Sequence, residues 1–315
     1  MIHYLPHKQI NKSLWDECVR ESVNGIIYGF SWYLDIVSPG WDGLIEDNYT
    51  SVFPLTHRKK SWISYLYQPF FTQQLGLFSR SHLTPLKVEE FLKNIPTKFR
   101  FVEIHLNSMN KASERESEGK FTLLERKNFE MDLIPSYDIL SKQYSKNTRR
   151  NIKKALNNPI EFSRKTEPDE LITLFKENFG NHEGKLKYRD YDTLRNLMTY
   201  CIKEKAGWIV GAYLPGNLLC AGVFFLQVHS RIIYHFAATS AEGKECGAMS
   251  LLIDKKIREN AGKPVTFDFE GSNDPNVARF YKGFGASEVP YYMVRINRLP
   301  DVINKAIKLI HKGNS

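Results

Sequence analysis

The second half of the chain carries the clearest pattern of apolar and polar positions. Apolar residues recur at helical spacing through Leu171–Phe179 and again through Tyr191–Ile202, which predicts two amphipathic helices. Three runs with strand character follow, at Trp208–Leu214, Leu218–Val228 and Ile232–Thr239. Pro215-Gly216-Asn217 joins the first two and His229-Ser230 joins the last two. Links this short turn a strand back beside its neighbour, so antiparallel hairpins are expected. A glycine-bearing turn is predicted over Glu242–Gly247, then a helix over Ala248–Asn260 that stops at Gly262. A strand over Pro264–Glu270, a short helix over Pro275–Lys282 and a strand over Val289–Asn297 complete the half.

The first half repeats this outline without repeating the sequence. A helix near Leu14–Ser22 precedes strands at Gly43–Ile45, Ser51–His57 and Trp62–Tyr67. A helix at Pro85–Leu92 leads to a strand at Phe99–Leu106, and Phe129–Leu133 is a further strand candidate. Lys111–Lys120 reads as a polar, charge-rich loop. The halves meet at Pro135–Asn158, where Ser136 is placed to cap one helix containing Ile139, Leu140, Tyr144, Ile152 and Leu156. The domains expected are therefore 1–135 and 136–299. A C-terminal amphipathic helix within 300–312, centred on Asp301–Ile310, is expected to pack back on the first.

Composition narrows the class. The length of 315 residues fits two domains, and 42% hydrophobic residues can fill their cores. The longest apolar run, Leu218–Leu226, is too short to span a bilayer. The N-terminus lacks a basic stretch followed by an apolar one, so no secretory signal is read there. Cys18, Cys201, Cys220 and Cys246 are scattered without a CxxC spacing, which argues against a zinc site or a disulfide framework and fits a reducing cytoplasm. The net charge of +9 favours an anionic partner: RNA, a nucleotide, a phosphorylated carrier or the inner face of a membrane.

Candidate chemistry concentrates in the stretch Val265–Ala286. Strand periodicity puts Val265, Phe267 and Phe269 on one face and Thr266, Asp268 and Glu270 on the other. Gly271-Ser272-Asn273 ends the strand, Asp274 is a natural helix cap and Pro275 suits the first helical position. Val277, Phe280, Tyr281 and Phe284 follow at helical spacing, and Gly283 and Gly285 stop the helix. Two carboxylates at a strand end can orient an amine nucleophile or take its proton. The alternative is structural: one acid caps backbone amides while the other pairs with Arg279 or Lys282.

The element order, two helices, three antiparallel strands, helix, strand, helix, strand, is similar to the acyltransferase fold called GNAT. Within it, "FDFEGS…VARFYKGFGA" resembles the Fem-type (FemABX) peptidoglycan aminoacyltransferases, in which an aspartate-rich strand precedes a Phe/Tyr-Lys-x-Gly-Phe motif. "SVFPLTHRKK" and "SKNTRRNIKKA" resemble the first-domain basic turn and the helix opening the second domain of that group. The resemblance implies an α/β fold with mixed sheets and two tandem GNAT-like acyltransferase domains. It implies transfer of an amino acid from aminoacyl-tRNA to the peptide stem of a cell-wall precursor. It places the motif lysine on Lys282 and its aromatic neighbour on Tyr281. Precursor contacts would fall near Lys187, Tyr191 and Tyr234; a lysine at 187 replaces the family's arginine and cannot give a planar two-point phosphate clamp. The long helical hairpin that some members insert in the second domain is missing.

GNAT enzymes hold the pyrophosphate of coenzyme A on backbone amides at a helix start. The nearest stretch is Lys244-Glu245-Cys246-Gly247-Ala248-Met249, where Lys244 and Gly247 would make the contacts. It matches the family's glycine pattern poorly, and Glu242 and Glu245 would repel an anion. Electrostatics point elsewhere: from Ile139 to Ile160 there are six cations (Lys142, Lys146, Arg149, Arg150, Lys153, Lys154) and no acid. Lys146, Arg150 and Lys153 recur on one helix face, and such a stripe can follow a phosphate backbone. Arg58, Lys59 and Lys60 form a second basic cluster. There is no Walker A sequence, nucleophile elbow or helical His pair, and His229 and His235 read as structural.

Three functions remain in order. The first is a cytoplasmic aminoacyltransferase acting on an amine of an envelope precursor, without a cofactor beyond the aminoacyl-tRNA donor. The second is an acyl-CoA-dependent N-acyltransferase acting on an amino sugar or polysaccharide precursor. The third is a non-catalytic RNA-binding protein.

Overall fold

In the computed structural model the described residues are 1–113, 121–179, 186–271 and 273–300. The polar loop at Lys111–Lys120 and the C-terminal helix expected at 300–312 lie largely outside them. The chain divides into two compact units, Met1–Glu125 with Tyr291–Ser315, and Arg126–Pro290.

The first unit opens with β1 (Ile2–Leu5), α1 (Lys12–Glu21), α2 (Ser31–Val37), β2 (Asp42–Glu46) and β3 (Ser51–Leu55). It continues through β4 (His57–Lys60), β5 (Ile63–Leu66), β6 (Phe78–Ser79), α3 (Pro85–Lys93) and β7 (Phe99–His105). The run expected as one strand over Ser51–His57 is divided: β3 pairs with β2 and β6, whereas β4 pairs with β5 in another sheet. Strands β5 and β7 are parallel. Trp15, Trp41, Tyr28, Tyr33, Phe53 and Phe91 are fully buried in this unit.

The second unit is built from β8 (Thr122–Asp132), α4 (Tyr137–Lys142), α5 (Lys146–Leu156), β9 (Glu161–Ser163), α6 (Pro168–Phe179) and α7 (Tyr188–Lys203). Then come β10 (Gly207–Leu214), β11 (Leu218–Val228), β12 (Arg231–Thr239), α8 (Ala241–Cys246), α9 (Ala248–Asn260), β13 (Thr266–Asp268) and α10 (Pro275–Lys282). β14 (Ser287–Asn297) begins here, and its Met293–Asn297 belong to the first unit, where they pair with β7. The hairpins β10–β11 and β11–β12 are antiparallel as the short links require. β12 and β13 run parallel, and β13 pairs on its other side with β8, antiparallel. Fully buried Phe129, Phe225, Phe267 and Phe269 anchor the core, each contributing about 2 kcal/mol by leaving water.

Three local expectations change. The single helix across Ile139–Leu156 is two, because Ser145 breaks it and caps the second: its Oγ accepts from the Thr148 amide at 3.1 Å. Ser136 does stand at the N-cap of α4, but its side chain makes no cap bond. The glycine turn over Glu242–Gly247 is the helix α8, capped by Ser240 Oγ on the Gly243 amide at 3.1 Å. The strand over Pro264–Glu270 keeps only Thr266–Asp268, since Glu270 turns into the left-handed region at φ +58.

Candidate active site

The parallel pairing of β12 with β13 stops at Ile233↔Asp268. Beyond that point Phe269 and Glu270 stay bonded to Phe129 of β8: the Phe269 amide donates to the Phe129 carbonyl at 2.9 Å, and the Phe129 amide to the Glu270 carbonyl at 3.3 Å. The two strands therefore part, and a cavity of about 570 Å³ opens between them. Tyr234–Thr239 form one wall; Phe269, Glu270, Gly271 and the α10 residues Asn276, Val277, Phe280 and Tyr281 form the other. Gly243, Lys244, Gly247, Met249 and Ser250, around the α8–α9 junction, and Asn151 of α5 complete the lining. Open parallel sheets bind ligands at such strand ends.

A bulge in β12 sharpens this wall. Phe224 pairs with Phe236 and Phe225 with Tyr234, so His235 is the extra residue of the bulge. Bulges re-aim side chains and recur beside active sites. His235 Nδ1 lies 2.9 Å from Glu270 Oε1, and its side chain is 1% exposed against 20% for Glu270. The imidazole thus backs the carboxylate, and the carboxylate meets the cavity.

Glu270 holds a backbone conformation that costs a non-glycine residue about 1–2 kcal/mol. Asp268 offsets part of that cost: its Oδ1 accepts the Glu270 amide at 2.8 Å. Asp268 Oδ2 is 2.7 Å from Arg231 Nη1, which also lies 2.8 Å from Glu130 Oε1. One guanidinium thus serves two carboxylates, with Glu270 a third acid nearby. Burial raises the Asp268 carboxyl, Arg231 opposes the rise, and Glu130 and Glu270 add to it, leaving it at about 6. Arg231 is itself raised: burial works against its charge, and the contacts with Asp268 and Glu130 outweigh burial. The guanidinium stays charged either way, so the titrating partner is Asp268.

Tyr281 and Tyr234 face each other at 6.0 Å between ring centroids, and Phe269 lies 5.1 Å from Tyr281. Burial raises both hydroxyls, and Glu270 and Asp268 raise Tyr281 further, so both are neutral donors at physiological pH. The Tyr234 hydroxyl donates to Met249 Sδ at 3.2 Å. The site thus joins a carboxylate able to take or orient an amine proton with a phenol able to supply one.

Most of the other sequence candidates sit apart from this wall. Lys282 is not among the lining residues; its ammonium is 2.9 Å from Glu288 Oε2 and 5.4 Å from the Phe129 ring centroid. Lys187 and Tyr191 start α7; the Lys187 amide donates to Asp190 Oδ2 at 2.7 Å, and Lys176 lies over the Tyr191 ring. Tyr191 packs on Phe175, which packs on Phe236 of the wall at 4.8 Å. Arg149, Arg150 and Lys153 are exposed on α5, whose opposite face buries Thr148, Ile152 and Ala155. Lys244 and Gly247 do line the cavity, but a Cβ on Gly247 would stand 2.5 Å from the Asn151 carbonyl. That glycine, at φ +81, lets α5 approach the α8–α9 junction. Of the two acids, Asp268 does hold a backbone amide, but its cation is Arg231 rather than Arg279 or Lys282. Arg231 did not stand out in the sequence, and His235 was read there as structural, whereas it lies against Glu270 at the cavity. A lone histidine inside the apolar run Ile232–Ala238 was the available signal.

Residues 142–282 match the family model of an acetyltransferase (GNAT) domain. Over the chain, the fold is similar to the crystal structure of FemX, at 13% identity and a TM-score of 0.65, covering 92% of this chain and 96% of that one. A conserved protein of unknown function from Bacteroides thetaiotaomicron gives 12% and 0.58, covering 94% and 100%. The structure of L-PGS from Bacillus licheniformis gives 12% and 0.57, covering 95% of each chain. No curated protein matches. The α/β class and the GNAT-like architecture expected from element order are therefore found. The match over residues 142–282 and the likeness of the fold to that of FemX support acyltransferase activity.

Proposed function

We propose that the protein transfers an aminoacyl group from an aminoacyl-tRNA to an amine of a cell-envelope precursor. The observation that carries the reading is the cavity wall on which Glu270 and Tyr281 meet. An acceptor amine beside Glu270 loses its proton to that carboxylate, directly or through water, as it attacks the activated carbonyl. Tyr281 donates to the departing oxygen, and the cavity supplies positioning. The tRNA donor draws support from α5. Its cations are exposed, and among the described residues they form no ion pairs, so they are available to phosphates. Lys282 falls to donor contacts at the rim, and Lys187 and Tyr191 to the acceptor's distal part. The FemX-like fold is in keeping with this assignment. The test is incubation with mixed charged tRNAs and acyl-CoAs and an envelope precursor, followed by mass analysis. Addition of an amino-acid mass is expected, and its absence with all donors overturns the reading.

A second reading uses acyl-CoA as donor and an amino sugar as acceptor. It is favoured by the acetyltransferase family match and by Lys244 and Gly247 in the lining. Against it, Gly247 is accounted for by its contact with Asn151. Calorimetry with coenzyme A separates the two: micromolar binding would favour the second.

A further inference from the structure

The hairpin β4–β5 in the first unit is not used by any of this chemistry. Its register pairs Arg58 with Tyr65 and Lys60 with Ile63, so these four share one face, and Ser61 and Trp62 form the tip. Trp62 is 66% exposed, and Lys59, Lys60 and Ser61 beside it are exposed too. The Arg58 guanidinium lies 4.1 Å from the centroid of the Tyr67 ring, which holds that side chain at the base of the hairpin. Among the described residues, Arg58, Lys59 and Lys60 form no ion pair. The sequence from Asn48 to Val88 contains no aspartate or glutamate at all.

A lone exposed indole is unexceptional; what marks Trp62 is its place at a turn flanked by cations, in a stretch without acids. The arrangement is an apolar tip ahead of a collar of three cations. Tryptophan prefers the boundary between acyl chains and headgroups, where its ring is apolar and its N–H is wet. Lysines behind it reach the phosphates while their stems stay along the apolar boundary. We propose that this hairpin docks the protein on an anionic lipid surface, with Trp62 inserted at headgroup depth and Arg58, Lys59 and Lys60 on lipid phosphates. A nucleic acid would also meet the cations. However, its bases stack on flat or concave platforms, and a hairpin tip is convex; a convex apolar tip suits a deformable planar boundary. No helix among the described residues is long and apolar enough to cross a membrane, so this contact would be peripheral.

The full chain is floated with vesicles of phosphatidylcholine alone and of phosphatidylcholine with one third phosphatidylglycerol. Binding is expected only to the anionic vesicles and is expected to weaken with salt. Each cation near such a surface contributes about a fivefold factor, so Lys59→Glu with Lys60→Glu should lower binding by well over tenfold. Trp62→Ser should lower it several-fold without altering its salt dependence. Circular dichroism should match the parent for both variants, since every changed side chain is exposed. The proposal fails if the parent does not float with anionic vesicles, or if both variants float as well as the parent. It also fails if the same residues govern retention of transfer RNA while vesicles go unbound. Flotation is read without any acyl donor, so its outcome is separate from the transfer assay.

Discussion

Asp268 Oδ1 accepts the backbone amide of Glu270 at 2.8 Å, across a single intervening residue. The bond folds the end of β13 back on itself and holds Glu270 left-handed at φ +58. The strained residue is also the one that presents a carboxylate to the cavity, and strain of this kind persists where the surroundings over-determine it. Glycine adopts that conformation freely; alanine does not. Glu270→Gly should therefore be more stable than Glu270→Ala by about 1 kcal/mol, measured by urea denaturation. Both should lose about 10²–10⁴-fold in transfer rate, the span of a general base. Equal stability of the two variants would show that the backbone strain is absent. Near-parental activity would remove the carboxylate from the reaction.

Asp268 gives stability a pH dependence. Its carboxyl is raised to about 6, so the folded state holds the proton more tightly than the unfolded chain does. The sign follows: folding gains from this group at low pH, and the gain is lost as pH rises from about 4, the unfolded value, through about 6. The loss should be about 2 kcal/mol, and Asp268→Asn should flatten it. Denaturation midpoints between those pH values in parent and variant check it. A parent whose stability rises through that window because of this residue would reverse the assignment.

Much of this was legible in the sequence, and the illegible part has a physical pattern. The β10–β11–β12 meander follows from links too short for anything else, and the α10 cap is read from Asp274-Pro275, whose carboxylate does accept from the Asn276 and Val277 amides. Local signals set these. The parting of β12 from β13 depends on which strand Phe269 and Glu270 remain bonded to, and no local pattern states that β8, more than a hundred residues earlier, is the partner. The same non-locality hid the His235–Glu270 contact. Lys282 shows the converse: a motif position read correctly on its helix does not reveal that its ammonium turns to Glu288.

That orientation of Lys282 separates its contribution from that of Tyr281. Tyr281 lines the cavity, and burial and two acids keep its hydroxyl protonated. Tyr281→Phe should lower kcat by about a hundredfold, at the lower end of what a proton donor supplies. Its KM for donor should change little. Lys282→Ala should instead raise the donor KM with kcat kept within a few-fold, because the ammonium lies outside the lining. Steady-state kinetics on the two variants reads the split. If Lys282→Ala abolished kcat and left KM alone, the lysine would have to act at the reacting atoms, and the ion pair with Glu288 would have to open during turnover.

The α5 helix offers a test that does not depend on turnover. Thr148, Ile152 and Ala155 face the core, while Lys146, Arg149, Arg150, Lys153 and Lys154 stay exposed. Changing the exposed residues leaves the buried seam untouched, so stability should move by less than about 0.5 kcal/mol per site. If these cations rest on phosphates, each one removed should weaken transfer-RNA binding and reduce the slope of log affinity against log salt by about 1. Arg150→Ala with Lys153→Ala should therefore lower the slope by about 2. Filter binding across a salt series measures it. A steep slope that the double change leaves intact would move the nucleic-acid contact away from α5, and no measurable binding at low salt would remove the tRNA donor and leave acyl-CoA.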